Sequence, residues 1–256
     1  MDIIKEERFS YFESNPSLNE RIVLLHGLFG ALSNFKDLVD FFGKKYNVVI
    51  PVLPLYTLDV KETSIDGFLL YLEDFIEFKK FNSFHILGNS LGGHIAQLYA
   101  LKHQQKVLSM TLTGSSGLFE SGMGDGYPKR GDYDYIKRKT GETFYDPNIA
   151  TKELVDEVFD IVNDREKALR IIFTAKSALR HNLENDLHKI HIPTLLVWGK
   201  NDTITPPFVG EKFNELIKSS ELVLIDKCGH APMMEVPEQF NNALMAFLSK
   251  IGQESA

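Results

Sequence analysis

Two spacings of apolar residues alternate along this chain. Continuous runs at Arg21–Leu25, 46–52, 84–87, Val107–Thr113, 191–199 and 221–225 read as buried strands, because a strand covered on both faces is apolar at every position. Between them, apolar residues recur three and four positions apart: Phe35, Leu38, Val39 and Phe42, then Phe68, Leu69, Leu72, Phe75 and Ile76, then Ile95, Leu98, Tyr99 and Leu101, and later Phe208, Phe213 and Leu216. That period predicts helices packed by one face. Strands and helices in alternation predict an α/β fold with a mostly parallel central sheet flanked by helices, and a ligand site at the carboxyl ends of the strands.

Local signals set the boundaries. Residues 8–13 alternate Phe9 and Tyr11 with other side chains and predict an opening edge strand that turns at Asn15-Pro16. Ser33 and Gly43 read as the caps of the first helix, Thr63 and Ser64 with Asp66 as the start of the second, and Pro237 as the start of a closing helix carrying Phe240, Leu244 and Phe247.

The alternation breaks after Gly114. Residues 114–128 are glycine-rich, a charged stretch runs through Lys139, and two amphipathic segments follow without a strand between them. These are 151–163, with Leu154, Val155, Val158, Phe159 and Val162, and 165–179, with Leu169, Ile172 and Phe173. The pattern predicts a helical lid, residues 117–188, inserted after the sixth strand of such a sheet and joined to it by flexible segments. Residues 1–116 and 189–256 then form the core domain.

Composition narrows the class. The 256 residues are 43% hydrophobic and 25% charged, as expected of a globular protein with one sizeable core and an insertion. A formal net charge of −7, with acids and bases interspersed, leaves no basic stripe and implies no nucleic-acid partner. The charged start, Met1 to Arg8, has no apolar core of the length a secretory signal needs, and no later segment approaches a membrane span, so a cytoplasmic location is expected. One cysteine, Cys228, excludes an internal disulfide and a multi-cysteine metal site, and reads as a small buried residue.

The candidate chemistry begins at Gly88-Asn89-Ser90-Leu91-Gly92-Gly93, where a strand turns into a helix with a serine at the apex. A serine hydroxyl is a poor nucleophile near neutral pH; it needs an imidazole to take its proton and a carboxylate to orient that imidazole. Asp202 and His230 each follow a predicted strand and would meet Ser90 at one rim, with Asp226 a second candidate for the acid. An acyl-transfer intermediate also needs donors for its oxyanion, and the Leu91 N–H at the helix start is one.

Four stretches now stand in order: His26-Gly27-Leu28-Phe29-Gly30, Gly88 to Gly93, Trp198-Gly199-Lys200-Asn201-Asp202 and Cys228-Gly229-His230-Ala231-Pro232. Together they make the chain resemble an α/β-hydrolase-fold serine hydrolase over nearly its whole length. The resemblance implies Ser90 as nucleophile, Asp202 as acid, His230 as general base, and the backbone N–H groups of Leu28 and Leu91 as the oxyanion hole, Phe29 being the alternative to Leu28. It also implies a structural role for His26 and no metal or organic cofactor. His85 and His94 read as a strand residue and a helix-start residue.

Asn89 and the Cys228-Gly229-His230 segment are similar to those of hydrolases that cleave carbon–carbon bonds in ring-fission products. Three departures separate the chain from those enzymes and their wider family. Ala231 stands where tryptophan is common, Val158 aligns with the arginine that would hold a substrate carboxylate, and Pro51 to Tyr56 replaces a Pro-Gly-His-Gly-like turn. Phe29, Asn89, Leu118, Phe119, Met123, Met233 and Met234 are the candidate pocket residues. A largely apolar lining suits an uncharged, small or medium carboxylic ester as the small-molecule substrate. A carbon–carbon bond hydrolase and, outside the enzymes, a ligand receptor of the same fold are the alternatives.

Overall fold

The structure, a computed structural model, describes residues 1–30, 32–119 and 129–254. Its sheet begins with a hairpin, Ile4–Glu6 (β1) and Phe9–Glu13 (β2), paired antiparallel with Ile4 opposite Tyr11. The hairpin corrects the expected order, since β1 forms the edge and β2 lies one strand further in, antiparallel to Asn47–Pro51. A three-residue strand with two exposed charged positions buries too little to show in an apolar pattern.

From there the alternation holds. Arg21–Leu25 (β3) leads through a short 3₁₀ turn, Leu32–Phe35, into Lys36–Phe42 (α1), then Asn47–Pro51 (β4) and Ile65–Phe78 (α2). Ser64 caps α2 as expected, its hydroxyl accepting from the Gly67 N–H. Of the caps expected for α1, the one at Gly43 forms, its N–H donating to the Val39 carbonyl at 2.8 Å, and the one at Ser33 does not. The 3₁₀ turn takes up Ser33 and leaves Phe35 at the N-cap position, while Gly43 caps the other end in a right-handed conformation at φ −61°. Phe84–Asn89 (β5), Leu91–His103 (α3) and Val107–Thr113 (β6) follow.

Three helices then precede the next strand: Tyr133–Gly141 (α4), Lys152–Asn163 (α5) and Arg165–Arg180 (α6). Helix α4 lies within the stretch read only as charged; Asp132 caps it, and Ile136 is its one buried large side chain. The buried face of α6 is Ile171, Thr174 and Ala178, while Leu169 and Phe173 face outward, because only one edge of this helix meets the rest of the molecule. Of the joint expected to be flexible at 114–128, the described part just after β6 is held by hydrogen bonds. Ser115, Ser116 and Gly117 are buried, Gln97 Nε2 donates to Ser115 Oγ and the Ser116 carbonyl at 2.8 Å each, and the Leu183 N–H donates to the Gly117 carbonyl at 2.8 Å.

Thr194–Gly199 (β7), Pro207–Leu216 (α7), Ser220–Ile225 (β8), the single turn Pro232–Glu235 (α8) and the closing Pro237–Glu254 (α9) complete the chain. The eight strands lie in the order β1-β2-β4-β3-β5-β6-β7-β8, parallel from β4 to β8. Alternate strand residues face opposite layers. Val23, Leu25, Leu196 and Trp198 pack with Phe68, Phe75, Ile95, Tyr99 and Phe213, whereas Ile22, Leu24, Leu195 and Val197 pack with Phe35, Phe42, Phe240 and Leu244. Because β3, β5, β7 and β8 run parallel, their carboxyl ends deliver the His26 loop, Ser90, the Asp202 loop and the His230 loop to one edge.

Candidate active site

β5 ends at Asn89 and α3 begins at Leu91, so Ser90 alone makes the turn, with φ 53° and ψ −120°. A non-glycine residue held there costs of order 1–3 kcal/mol. Backbone bonds hold the turn: the Ser90 N–H donates to the Thr113 carbonyl at 3.1 Å, and the Ser90 carbonyl accepts from the N–H groups of Gly93, His94 and Ser116 at 3.0 to 3.2 Å. The turn also needs bare backbone beneath it. A Cβ on Gly88 would sit 2.4 Å from the Gly92 backbone, and one on Gly92 would sit 2.1 Å from the Leu25 carbonyl oxygen.

At the ends of β7 and β8 the structure brings Asp202 and His230 together, both buried, with Asp202 Oδ2 2.9 Å from His230 Nδ1. The Thr205 hydroxyl donates to the same Oδ2 at 2.9 Å, and Oδ1 accepts from the backbone N–H groups of Ile204 and Thr205 at 2.8 and 2.9 Å. The carboxylate is therefore oriented at both oxygens. Asp226 is exposed, so geometry selects Asp202 as the imidazole's partner.

Asn89 joins this pair to the serine turn: its Nδ2 donates to the Thr113 carbonyl at 3.0 Å and to the His230 carbonyl at 3.2 Å. The amide of this residue, expected in the pocket, is thus taken up within the protein. Glu235 on α8 braces the histidine loop from outside. Its carboxylate accepts from the Gly229 N–H at 2.9 Å and the Tyr145 N–H at 2.8 Å, while the His230 N–H donates to the Thr143 carbonyl at 2.9 Å. Neither role was expected from the sequence.

The loop after β3 is ordered by His26. The Leu53 N–H donates to His26 Nε2 at 3.2 Å, so the ring proton resides on Nδ1, which donates to the Gly27 carbonyl at 3.0 Å. The Gly30 N–H donates to that same carbonyl at 3.0 Å. In a trans peptide the C=O and the following N–H point to opposite sides. Anchoring the Gly27 carbonyl therefore turns the Leu28 N–H away from His26. The Leu28 and Leu91 N–H groups find no acceptor among the described residues.

A model of the alpha/beta hydrolase family matches residues 22–243. The chain belongs to that family. Monoacylglycerol lipase ABHD6 of Bos taurus is 26% identical over 96% of this chain and 81% of its own length. The 2-hydroxy-6-oxo-6-(2'-aminophenyl)hexa-2,4-dienoic acid hydrolase of Metapseudomonas resinovorans is 29% identical over 90% of this chain and 84% of its own. The crystal structure of MGS-MChE2, an alpha/beta hydrolase enzyme from the metagenome of sediments from the lagoon of Mar Chica, Morocco, superposes with a TM-score of 0.80 at 41% identity, covering 98% of this chain and 99% of that one.

Within this alpha/beta hydrolase the other expected pocket residues divide. Phe29 packs against a cluster of Ile136, Val158 and Val162 on α4 and α5, so Val158 belongs to an apolar cluster beside the His26 loop. Leu118 and Phe119 line a cavity of about 260 Å³ with Gly117, Ala178, Leu179 and Asn182, between the segment after β6 and the end of α6. Met233 is a core residue, buried against the α9 layer, and Met234 is half-buried against the same layer. Met123 lies outside the described residues. Among those residues no cluster of side chains is suited to a metal ion, and no helix is long and apolar enough to cross a membrane.

Three histidines are held neutral by burial. It lowers the pKa of His26, lowers that of His85 to about 4, and, with the charge of His181 adding to it, lowers that of His94 to about 3. The unfolded chain protonates all three near pH 6.5, so their contribution to stability is complete above that pH and is lost as pH falls below it, toward about 4 for His85 and about 3 for His94. The loss is roughly 3 kcal/mol for His85 alone. Urea midpoints are expected to fall steadily from pH 6.5 to 5, where few carboxylates yet titrate; a flat profile over that window contradicts neutral burial.

Proposed function

We propose that this protein is a serine hydrolase that cleaves small or medium, largely apolar carboxylic esters through an acyl-enzyme on Ser90. The observation that carries the reading is the oriented Asp202–His230 pair, tied through Asn89 to a strained turn bearing Ser90. His230 Nε2 takes the Ser90 proton as Oγ attacks the ester carbonyl. The carbonyl π electrons move to oxygen, and the Leu28 and Leu91 N–H groups hold the resulting oxyanion. Collapse breaks the carbon–oxygen bond, and His230 returns the proton to the leaving alcohol. Water activated by the same imidazole then releases the acid.

Residues 117–188 serve as the lid in this reading, and the packing of Phe29 against the cluster of Ile136, Val158 and Val162 supports an apolar acyl or alcohol site at its inner face. No cofactor takes part. The test is a panel of p-nitrophenyl acetate, butyrate and octanoate, with fluorophosphonate labelling mapped by mass spectrometry. Butyrate is expected to exceed acetate in kcat/KM by about tenfold, since two buried methylenes contribute about 1.6 kcal/mol, with the label on Ser90.

A second reading, carbon–carbon bond hydrolysis, draws on the likeness to the dienoic acid hydrolase and on the shared Gly-Asn-Ser turn. That substrate class carries a carboxylate, and Val158 in its apolar cluster offers no cation to receive one. Faster turnover of a vinylogous diketone than of any ester in the panel favours the second reading over the first.

A further inference from the structure

The segment after β4, Pro51 to Tyr56, has no part in the reaction steps above, yet it touches the Leu28 loop twice. Its Leu53 N–H holds His26, and the Tyr56 hydroxyl donates to the Leu28 carbonyl oxygen. Leu53 and Leu55 are buried in the core, the Leu55 N–H closes a tight turn onto the Leu53 carbonyl at 2.8 Å, and the Leu58 N–H closes another onto Pro54 at 3.0 Å. Tyr56 is thus carried on a segment locked at both ends. Its hydroxyl remains protonated, because burial and the negative charge of Glu157 raise its pKa.

Two consecutive peptide planes of the loop are therefore held by side chains, one from the loop's own start and one from the segment after β4. His26 holds the Gly27 carbonyl and so sets the plane that carries the Leu28 N–H; Tyr56 holds the Leu28 carbonyl and sets the next. The Leu28 N–H lies in the first plane, and a bond on each of the two planes restrains the Leu28 φ and ψ between them, so that the second bond keeps the first plane from rotating with the rest of the loop. Phe29, on the far side of the second plane, is meanwhile packed against the cluster of Ile136, Val158 and Val162. Without the Tyr56 bond, the Leu28–Phe29 peptide has the inserted helices as its main constraint.

We propose that Tyr56 is a positioning residue of the oxyanion hole, acting through the Leu28 carbonyl to aim the Leu28 N–H at the developing oxyanion. The proposal rests on the Ser90 acyl-enzyme reading. It assigns a function to the segment in which the chain departs from the Pro-Gly-His-Gly-like turn. It also predicts a kinetic signature. A mis-aimed donor weakens binding of the charged intermediate and leaves the neutral ester nearly unaffected, so the loss falls on kcat rather than KM.

The experiment compares wild type, Tyr56→Phe and Ser90→Ala in the full chain, with rates of the first two normalised by fluorophosphonate active-site titration so that only folded enzyme counts. Tyr56→Phe is expected to lower kcat for p-nitrophenyl butyrate by about 10- to 100-fold with KM changed by less than about threefold. The affinity of a hydrophobic trifluoromethyl ketone, whose adduct with Ser90 carries the oxyanion, falls by a similar factor. A purely structural tyrosine would shift the thermal midpoint and the titrated fraction without changing kcat per titrated site or the ketone affinity, and that result overturns the proposal. A Ser90→Ala variant that keeps more than about a hundredth of wild-type kcat overturns the Ser90 reading and this proposal together. Loss of activity in Ser90→Ala with wild-type kcat in Tyr56→Phe overturns the role of Tyr56 alone.

Discussion

Ser90→Ala is expected to lower kcat for p-nitrophenyl butyrate by about 10⁶ and to leave the fold intact. The substitution removes Oγ, the atom that would form the acyl bond, and nothing else the turn depends on. What holds Ser90 at φ 53° is backbone: its N–H on the Thr113 carbonyl, and its carbonyl under three N–H groups. Alanine presents the same backbone groups and the same Cβ, so the strain is unchanged and the thermal midpoint should move by no more than a few degrees. KM need not rise, since the apolar contacts of the ester and the Leu28 and Leu91 donors remain. Residual activity above the water rate, from those donors and the bound geometry, is of order 10³-fold. A variant retaining more than about a hundredth of wild-type kcat would contradict a covalent role for Ser90 and leave base-catalysed attack by water as the simplest mechanism.

Features that bury apolar surface on both faces were legible in the sequence, and so were residues at the ends of those features. β3, β5 and β7 show as continuous runs because the two helical layers cover both of their faces. β1 and α4 left no such trace: the first has one half-buried residue and the second one large buried side chain. Ser90, Asp202 and His230 were locatable as polar residues following strands. Asp202 was preferred to Asp226 through the family resemblance rather than the pattern of residues, because two carboxylates near strand ends look alike until side-chain direction is known.

The supports of the site were hidden for a related reason. Asn89 meets a carbonyl 141 residues away, and Tyr56 and Glu235 act on backbone groups of other loops, so no spacing in their own neighbourhood records the contact. Asn89 was legible as part of the serine turn but not as the tie to the histidine loop. Backbone partners are equally invisible from the other side, since any residue type supplies them.

Asp202→Asn is expected to be the most damaging substitution that changes almost no volume, lowering kcat by about 10⁴. The argument lies in what surrounds the carboxylate. Oδ1 accepts from two backbone N–H groups, of Ile204 and Thr205, which can only donate. An asparagine must therefore place its carbonyl oxygen there, and its amide nitrogen takes the position of Oδ2, 2.9 Å from His230 Nδ1. That nitrogen is a donor, so Nδ1 must become the acceptor and the ring proton moves to Nε2. An imidazole protonated at Nε2 cannot take the proton of Ser90 from that side. The Thr205 hydroxyl, which donates to Oδ2 at 2.9 Å and stands 3.3 Å from His230 Nδ1, can turn to donate to the ring nitrogen and reinforces the unreactive tautomer. Both hydrogen bonds of the loop backbone survive, so circular dichroism and the thermal midpoint should stay near wild type while turnover collapses. Proton NMR of the downfield imidazole N–H resonances checks the cause directly: the Nδ1 proton of His230 should be present in the wild type and absent in the variant. A kcat within tenfold of wild type, or an Nδ1 proton that persists, would mean that Asp202 does not set the tautomer and that His230 is oriented by other groups.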